Sequence, residues 1–186
     1  MSAAVGIGIL ALQGGFAAHA RAVTDVGGDP RLVRTAADLK GLAGLILPGG
    51  ESSTILKLLE RHELAAPLDA FVRSGRPVLA TCAGLILAAA HVTRPTQKSF
   101  GWLPVSVARN AWGRQVDSFE ATDDSGALPL IFIRAPRIVE VSGGASVLAT
   151  YRGEPVAVRA GSVTGLTFHP ELGADRRFHA DLVARS

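Results

Sequence analysis

The chain is poor in several things, and each shortage excludes a class of protein. One cysteine, Cys82, stands among 186 residues, so no intramolecular disulfide can form and a disulfide-stapled secreted scaffold is excluded. Aromatic residues are only 5% of the chain, too few for base-stacking platforms. Only 3 of the 19 cations are lysine, and no Lys/Arg run is longer than Arg176-Arg177. With a net charge of +3, that leaves no electrostatic footprint for nucleic acid. No apolar run approaches the ~18 residues needed to span a bilayer. Val5–Leu12 is too short and ends in Gln13-Gly14-Gly15, and Val78–Val92 is interrupted by Thr81, Cys82 and Gly84. A basic leader is missing ahead of Val5, so this stretch reads as a buried strand and not a signal peptide. A cytoplasmic protein without membrane or nucleic-acid partners is expected.

What is present is apolar patterning. Hydrophobic residues make up 48% and charged residues 19%, the balance of a folded globular chain. The length suits one domain over residues 1–186. Val5–Leu12, Leu42–Leu47 and Val78–Thr81 are apolar runs, each closed by a tight loop and followed by helical periodicity. The helices are predicted at Phe16–Val26, from a Ser52 or Ser53 cap through Leu59, at Leu64–Ser74 and at Gly84–Ala90. Arg31–Arg34 is a short strand and Ala36–Gly41 a helical turn or two. Such βαβ units predict a parallel sheet covered on both faces. Short β-like segments fill the second half: Val105–Arg109, Ser118–Ala121, Ile131–Ile133, Ile138–Val141, Ser146–Tyr151, Pro155–Arg159 and Val163–Phe168. A helix over Asp175–Arg185 closes the chain. The expected class is α/β: a three-layer, flavodoxin-like, doubly wound, mostly parallel sheet with added antiparallel strands.

Three segments carry candidate chemistry. Cys82 follows an apolar strand and precedes Ala83-Gly84 and a helix. That places it at the C-terminal end of a parallel strand, where open α/β sheets bind ligands, on a turn built like a nucleophile elbow. A buried structural thiol is the competing reading. His169 and Glu171 follow the strand Val163–Phe168, with Pro170 restricting the backbone between them. A carboxylate two positions from an imidazole can select its tautomer and stabilise its charged form; an incidental pair on a surface loop is the alternative. Pro48-Gly49-Gly50-Glu51-Ser52-Ser53 joins a strand to a helix and presents free backbone N–H groups, suited to an oxyanion or a carboxylate, or else forms a plain turn. It lacks P-loop spacing, and Glu51 would repel phosphate. His19, His91 and His179 lack metal-ligand spacing and read as structural or surface residues.

Together, Thr-Cys82-Ala-Gly, Pro48-Gly49-Gly50-Glu51-Ser52 and His169-Pro170-Glu171 resemble the class I (triad) glutamine amidotransferases. Leu10-Ala11-Leu12-Gln13-Gly14, the segment from Arg109 to Glu120 and Phe132-Ile133-Arg134-Ala135-Pro136 resemble, more narrowly, the glutaminase subunits of pyridoxal 5′-phosphate synthases. The resemblance implies that Cys82 attacks the side-chain amide of L-glutamine, that His169 moves the proton, and that Glu171 orients His169. It implies an oxyanion hole from the N–H groups of Gly50 and Ala83. Glutamine contacts are implied at Gly49, Gly50, Glu51, Arg109, Ile133 and Arg134, and Gln13 is placed near the oxyanion loop. No cofactor and no metal are implied. The implied partner is a (β/α)8 synthase subunit that receives the ammonia for vitamin B6 biosynthesis and activates the glutaminase by docking near the Cys82 rim. One departure from the pattern is Phe16-Ala17-Ala18 ahead of His19, where the family carries Arg-Glu. A glutaminase subunit feeding another amidotransferase and a non-catalytic regulatory subunit are the alternatives; the complete Cys82, His169, Glu171 set argues against the second.

Overall fold

The apolar runs fold as parallel strands whose alternate side chains face opposite helical layers. In the computed structural model, which describes residues 4–109 and 118–186, β1 (Gly6–Leu10), β2 (Asp29–Val33), β3 (Gly44–Leu47) and β4 (Val78–Thr81) lie side by side with β12 (Val163–Leu166) in the order β2-β1-β3-β4-β12, all parallel. That is the flavodoxin-like strand order, with its switch point between β1 and β3. Antiparallel β11 (Glu154–Ala160) and β10 (Ser146–Tyr151) extend the sheet beyond β12.

Helices α2 (Ser52–Arg61), α3 (Ala65–Arg73) and α4 (Ala83–Ala88) cover one face. There Leu45, Leu47, Val78 and Ala80 pack with Ile55, Leu59, Leu68 and Leu85. Helices α1 (Phe16–Asp25) and α5 (Arg177–Arg185) cover the other, where Ile7, Ile9, Ile46 and Leu79 meet Val23, Phe178 and Leu182. The two-residue period of a strand divides neighbouring side chains between these layers. Two smaller sheets complete the chain. One joins β5 (Ala89–Thr93), β6 (Leu103–Ala108) and β9 (Arg137–Val141); the other pairs β7 (Phe119–Thr122) with β8 (Pro129–Phe132).

Several local expectations are corrected. Helix α4 stops at Ala88, and Ala89–Thr93 is a strand paired parallel to β6. A run of Leu and Ala does not distinguish helix from strand by period, and the β-branched Val92-Thr93 end and pairing with Leu103–Ala108 decide it. Strand β2 starts two residues early, at Asp29-Pro30; as an edge strand it tolerates proline. Helix α2 is capped by Glu51, not by a serine. The Glu51 carboxylate accepts the N–H groups of Ser53 (3.2 Å) and Thr54 (2.6 Å), while both serine hydroxyls donate to Gln97 Oε1. A carboxylate at this position also complements the helix dipole. The chain after β12 makes a 3-10 turn at Pro170–Leu172. Most of the expected Arg109–Glu120 segment lies outside the described residues. No helix among the described residues is long and apolar enough to cross a membrane.

Candidate active site

The C-terminal ends of β1, β3, β4 and β12 open onto one cavity of about 340 Å³, within the size range of small-molecule sites. Strand β4 delivers Cys82 in a backbone conformation that side chains seldom adopt, φ 48°, ψ −103°. Such strain persists only where the surroundings enforce it. Here the Cys82 N–H donates to Leu166 O at 2.8 Å, and its carbonyl accepts from Ile86. Glycine is required at position 84, because a Cβ there would lie 2.0 Å from Leu47 O. The Cys82 thiol faces the Ile133 carbonyl at 3.9 Å.

The exit of β12 is pinned by the His169 N–H, which donates to Ile131 O at 2.8 Å. His169 Nδ1 lies 2.7 Å from Glu171 Oε1, and both residues are buried. An ionised carboxylate only accepts, so the proton of this bond resides on Nδ1, and Nε2 is the nitrogen left for chemistry. Gly49 seats His169 against Cys82: a Cβ at position 49 would meet the imidazole at 2.4 Å and Cys82 Cβ at 3.3 Å. Burial disfavours a charged His169, yet its interactions with the Cys82 sulfur and the Glu171 carboxylate outweigh burial and raise its pKa to about 10. Burial likewise opposes ionisation of Glu171, but the hydrogen bond from His169 and the adjacent rings of His19 and His169 hold it below the ordinary value. The pair is therefore built as imidazolium and carboxylate.

The loop after β3 is tied to the loop after β1. Gly15 N–H donates to Gly49 O at 3.0 Å, and Gln13 Oε1 accepts from Glu51 N–H at 2.8 Å. Gly14 is indispensable to that approach: it has φ 102°, and a Cβ would lie 1.9 Å from Gly49 O. The N–H of Ala83, first residue of α4, has no intrahelical acceptor. Arg109 reaches Glu51 Oε1 at 3.3 Å and the Ser53 hydroxyl at 3.2 Å.

With the geometry in place, the comparisons decide the family. A model of the SNO glutamine amidotransferase family matches residues 9–185. The chain belongs to the SNO glutamine amidotransferase family. It is similar to the pyridoxal 5′-phosphate synthase subunit PdxT of Solibacter usitatus, at 46% identity over 184 residues, covering 94% of this chain and 95% of that one. The PdxT of Frankia alni is 50% identical over 180 residues, covering 93% and 90%. A crystal structure of a glutamine amidotransferase superposes with a TM-score of 0.87 at 39% identity, covering 96% of this chain and 98% of the other.

In this glutamine amidotransferase, the cavity gathers Cys82, His169, Glu171, Gly49, Gly50, Glu51, Arg109, Ile133 and Arg134, every candidate except Ala83. The Ala83 side chain is buried in the apolar cluster beneath, and only its backbone N–H can serve the site. Glu51 is already engaged as a helix cap, which lowers its pKa: desolvation works the other way, but the hydrogen bonds from Thr54 and Ser53 prevail. Arg134 has φ 44° and stands exposed at the rim. Ser52 and Pro136, which belong to two of the motifs but carried no predicted contact with glutamine, also line the wall, together with Ile86 and Leu172. Behind Glu171 lies a buried pair, His19 and His179, 160 residues apart, read from the sequence as structural or surface residues but not as partners. Among the described residues, no group of three or more His, Cys, Asp or Glu side chains could hold a metal ion.

Proposed function

We propose that this chain hydrolyses L-glutamine to L-glutamate and ammonia, and passes the ammonia to a pyridoxal 5′-phosphate synthase subunit for vitamin B6 biosynthesis. The observation that carries the chemistry is the junction of the strained Cys82 with the buried His169–Glu171 pair at one end of the sheet. The Cys82 sulfur attacks the side-chain amide carbon. The oxyanion is taken up by the N–H groups of Gly50 and Ala83. His169 Nε2 delivers a proton to the amide nitrogen as the C–N bond breaks, releasing ammonia and leaving a glutamyl thioester. Water then gives a proton to His169, attacks the thioester and frees glutamate and Cys82. Glu171 holds the ring in the Nδ1–H tautomer throughout. Glu51 complements the substrate α-ammonium, and Arg109 and Arg134 complement its α-carboxylate.

The reading of the partner rests on the PdxT relatives. A (β/α)8 synthase subunit docks on the rim where Gly50 and Leu172 are exposed, close enough to take ammonia before it reaches solvent. A cytoplasmic location keeps the lone thiol reduced.

The test is glutamate release from glutamine, for wild type and Cys82→Ala, with and without the cognate synthase subunit. Activity that rises with the partner and vanishes in Cys82→Ala is expected. Activity retained by Cys82→Ala would overturn the nucleophile. Full activity indifferent to the partner would assign the ammonia to another acceptor.

A further inference from the structure

His19 in α1 and His179 in α5 are fully buried, and nothing in the triad chemistry uses them. Their rings meet through His19 Nδ1 and His179 Nε2 at 2.9 Å. The other nitrogen of His19, Nε2, points at the triad. It lies 3.4 Å from Glu171 Oε2 and 3.2 Å from the Thr81 hydroxyl, on the residue preceding Cys82. Glu171 Oε1 is committed to His169, whereas Oε2 is buried, has no hydrogen-bond partner among the described residues, and is approached by His19 Nε2 at 3.4 Å. A buried carboxylate oxygen without a donor is costly.

We propose that His19, backed by His179, is a positioning residue for the reaction, a neutral ring whose Nε2–H anchors the outer oxygen of Glu171 and so fixes the carboxylate that orients His169. The inference rests on the triad reading given above.

Two tautomers of the pair are possible, and the carboxylate selects one. With the proton on His19 Nε2, that N–H meets the Thr81 hydroxyl at 3.2 Å with Glu171 Oε2 beside it at 3.4 Å, a small turn of the ring from hydrogen-bonding it, and His19 Nδ1 accepts from His179 Nε2–H. With the proton on Nδ1, a lone pair would face the carboxylate, and the buried His179 Nδ1, which has no partner, would be an unsatisfied N–H. The second arrangement strands a donor and sets negative charge against a lone pair. Both rings are held neutral. Burial lowers His19 to about 4, against the pull of Glu171 and with the repulsion of His169. Burial and the neighbouring His19 lower His179 to about 3, with Glu171 and Asp25 opposing and Arg176 assisting. These are the titratable groups that face the pair, and a neutral donor steadies Glu171 without neutralising the negative charge it presents to His169. The contacts that position His169 therefore run from Glu171 to two rings, one on the first helix and one on the last.

The test compares wild type with His19→Leu and His19→Gln, each assayed with the partner subunit and each labelled with ¹⁵N-histidine for NMR titration of His169. Leucine keeps the bulk and removes the donor; glutamine returns an N–H near the position of Nε2. For His19→Leu, we expect kcat to fall about tenfold or more with KM for glutamine within about twofold, the loss of one hydrogen bond to a buried charge. The His169 titration should move down, carrying the alkaline limb of the pH–rate profile with it. His19→Gln should recover most of kcat and the higher titration. Equal losses in both variants, or an unmoved His169 titration in a folded His19→Leu protein, would overturn the proposal, the first leaving His19 a packing residue only. A wild type that releases no glutamate would defeat the triad reading instead, and the NMR titration of His169 in the three proteins would still decide whether His19 acts through Glu171.

Discussion

Acid should destabilise this fold well before its carboxylates titrate, and the reason is the His19–His179 pair. Both rings are fully buried, and burial lowers them from 6.5 to about 4 and about 3. The unfolded chain takes up protons on them below about pH 6.5 while the folded chain does not, so their contribution to stability is present above that value and is lost as pH falls toward the folded values. Between about pH 7 and about pH 5, each ring forfeits about 2 kcal/mol, and neither protonates appreciably in the folded state, so the two add to about 4 kcal/mol. His169 acts in the opposite sense. Burial opposes its charge, but Cys82 and Glu171 raise it to about 10. Its contribution is complete below about pH 6.5, and it returns just under about 1 kcal/mol over the same interval. The net loss is about 3 kcal/mol, a large share of the ~5–15 kcal/mol that holds a typical domain together. Urea unfolding followed by far-UV circular dichroism at about pH 7, 6 and 5 measures it. His179→Gln removes one titrating ring and should cut the net loss to about 1 kcal/mol, whatever it does to stability at neutral pH. A wild type whose stability is flat over this range, or a His179→Gln protein with the full wild-type slope, would refute the reasoning.

Three further outcomes are expected. Gly84→Ala should lower stability by about 3 kcal/mol or more in urea unfolding, because its Cβ would press into the Leu47 carbonyl of a core strand, and backbone cannot move aside as a side-chain tip does. Gln13→Ala should lower kcat for glutamate release about tenfold, since Gln13 Oε1 is what holds the Glu51 N–H and with it the loop carrying Gly50; steady-state assays with the partner subunit check it. Arg109→Met should raise KM for glutamine about tenfold or more with a smaller effect on kcat, as removal of a charged substrate contact does, and a glutamine titration separates the two constants.

How much of this was legible depends on whether a signal was local. The parallel core was, because β1, β3 and β4 are continuous apolar runs closed by Gln13-Gly14-Gly15, Pro48-Gly49-Gly50 and Cys82-Ala83-Gly84. The grouping of the candidate residues around one cavity followed from the same loops, since each strand exit carries one of the candidate segments. Strand β5 was not legible: its first residues continue an Ala- and Leu-rich helix, and only pairing with β6, formed many residues later, makes them a strand. The α2 cap was assigned to a serine on propensity, but the longer Glu51 side chain reaches two N–H groups at once, leaving the serine hydroxyls to Gln97. A structural role for His19 and His179 was open from their sequence, but their pairing was beyond reach, because that contact closes the chain's first helix on its last.

The division of labour within the cavity follows from where the constraints fall. Cys82 is held in an unfavourable backbone conformation by Leu166, Ile86 and the bare face of Gly84, and His169 by Ile131 and Glu171. These bonds come from β12, α4, β8 and the 3-10 turn, so the groups proposed to react are positioned by several elements at once beneath the rim. Gly50, Glu51 and Arg134 stand exposed on loops at the rim, where they can adjust to the charged end of a substrate. A partner that presses on this rim acts on Gly50 and the oxyanion N–H directly, while His169 and Glu171 lie beneath it, tied to β8 and to the two buried histidines. Partner control of such a site is therefore expected in the oxyanion loop and substrate contacts, with the protonation state of His169 unchanged on docking. ¹⁵N-histidine NMR of the free and partner-bound protein distinguishes this from control through the triad, in which the His169 titration would move.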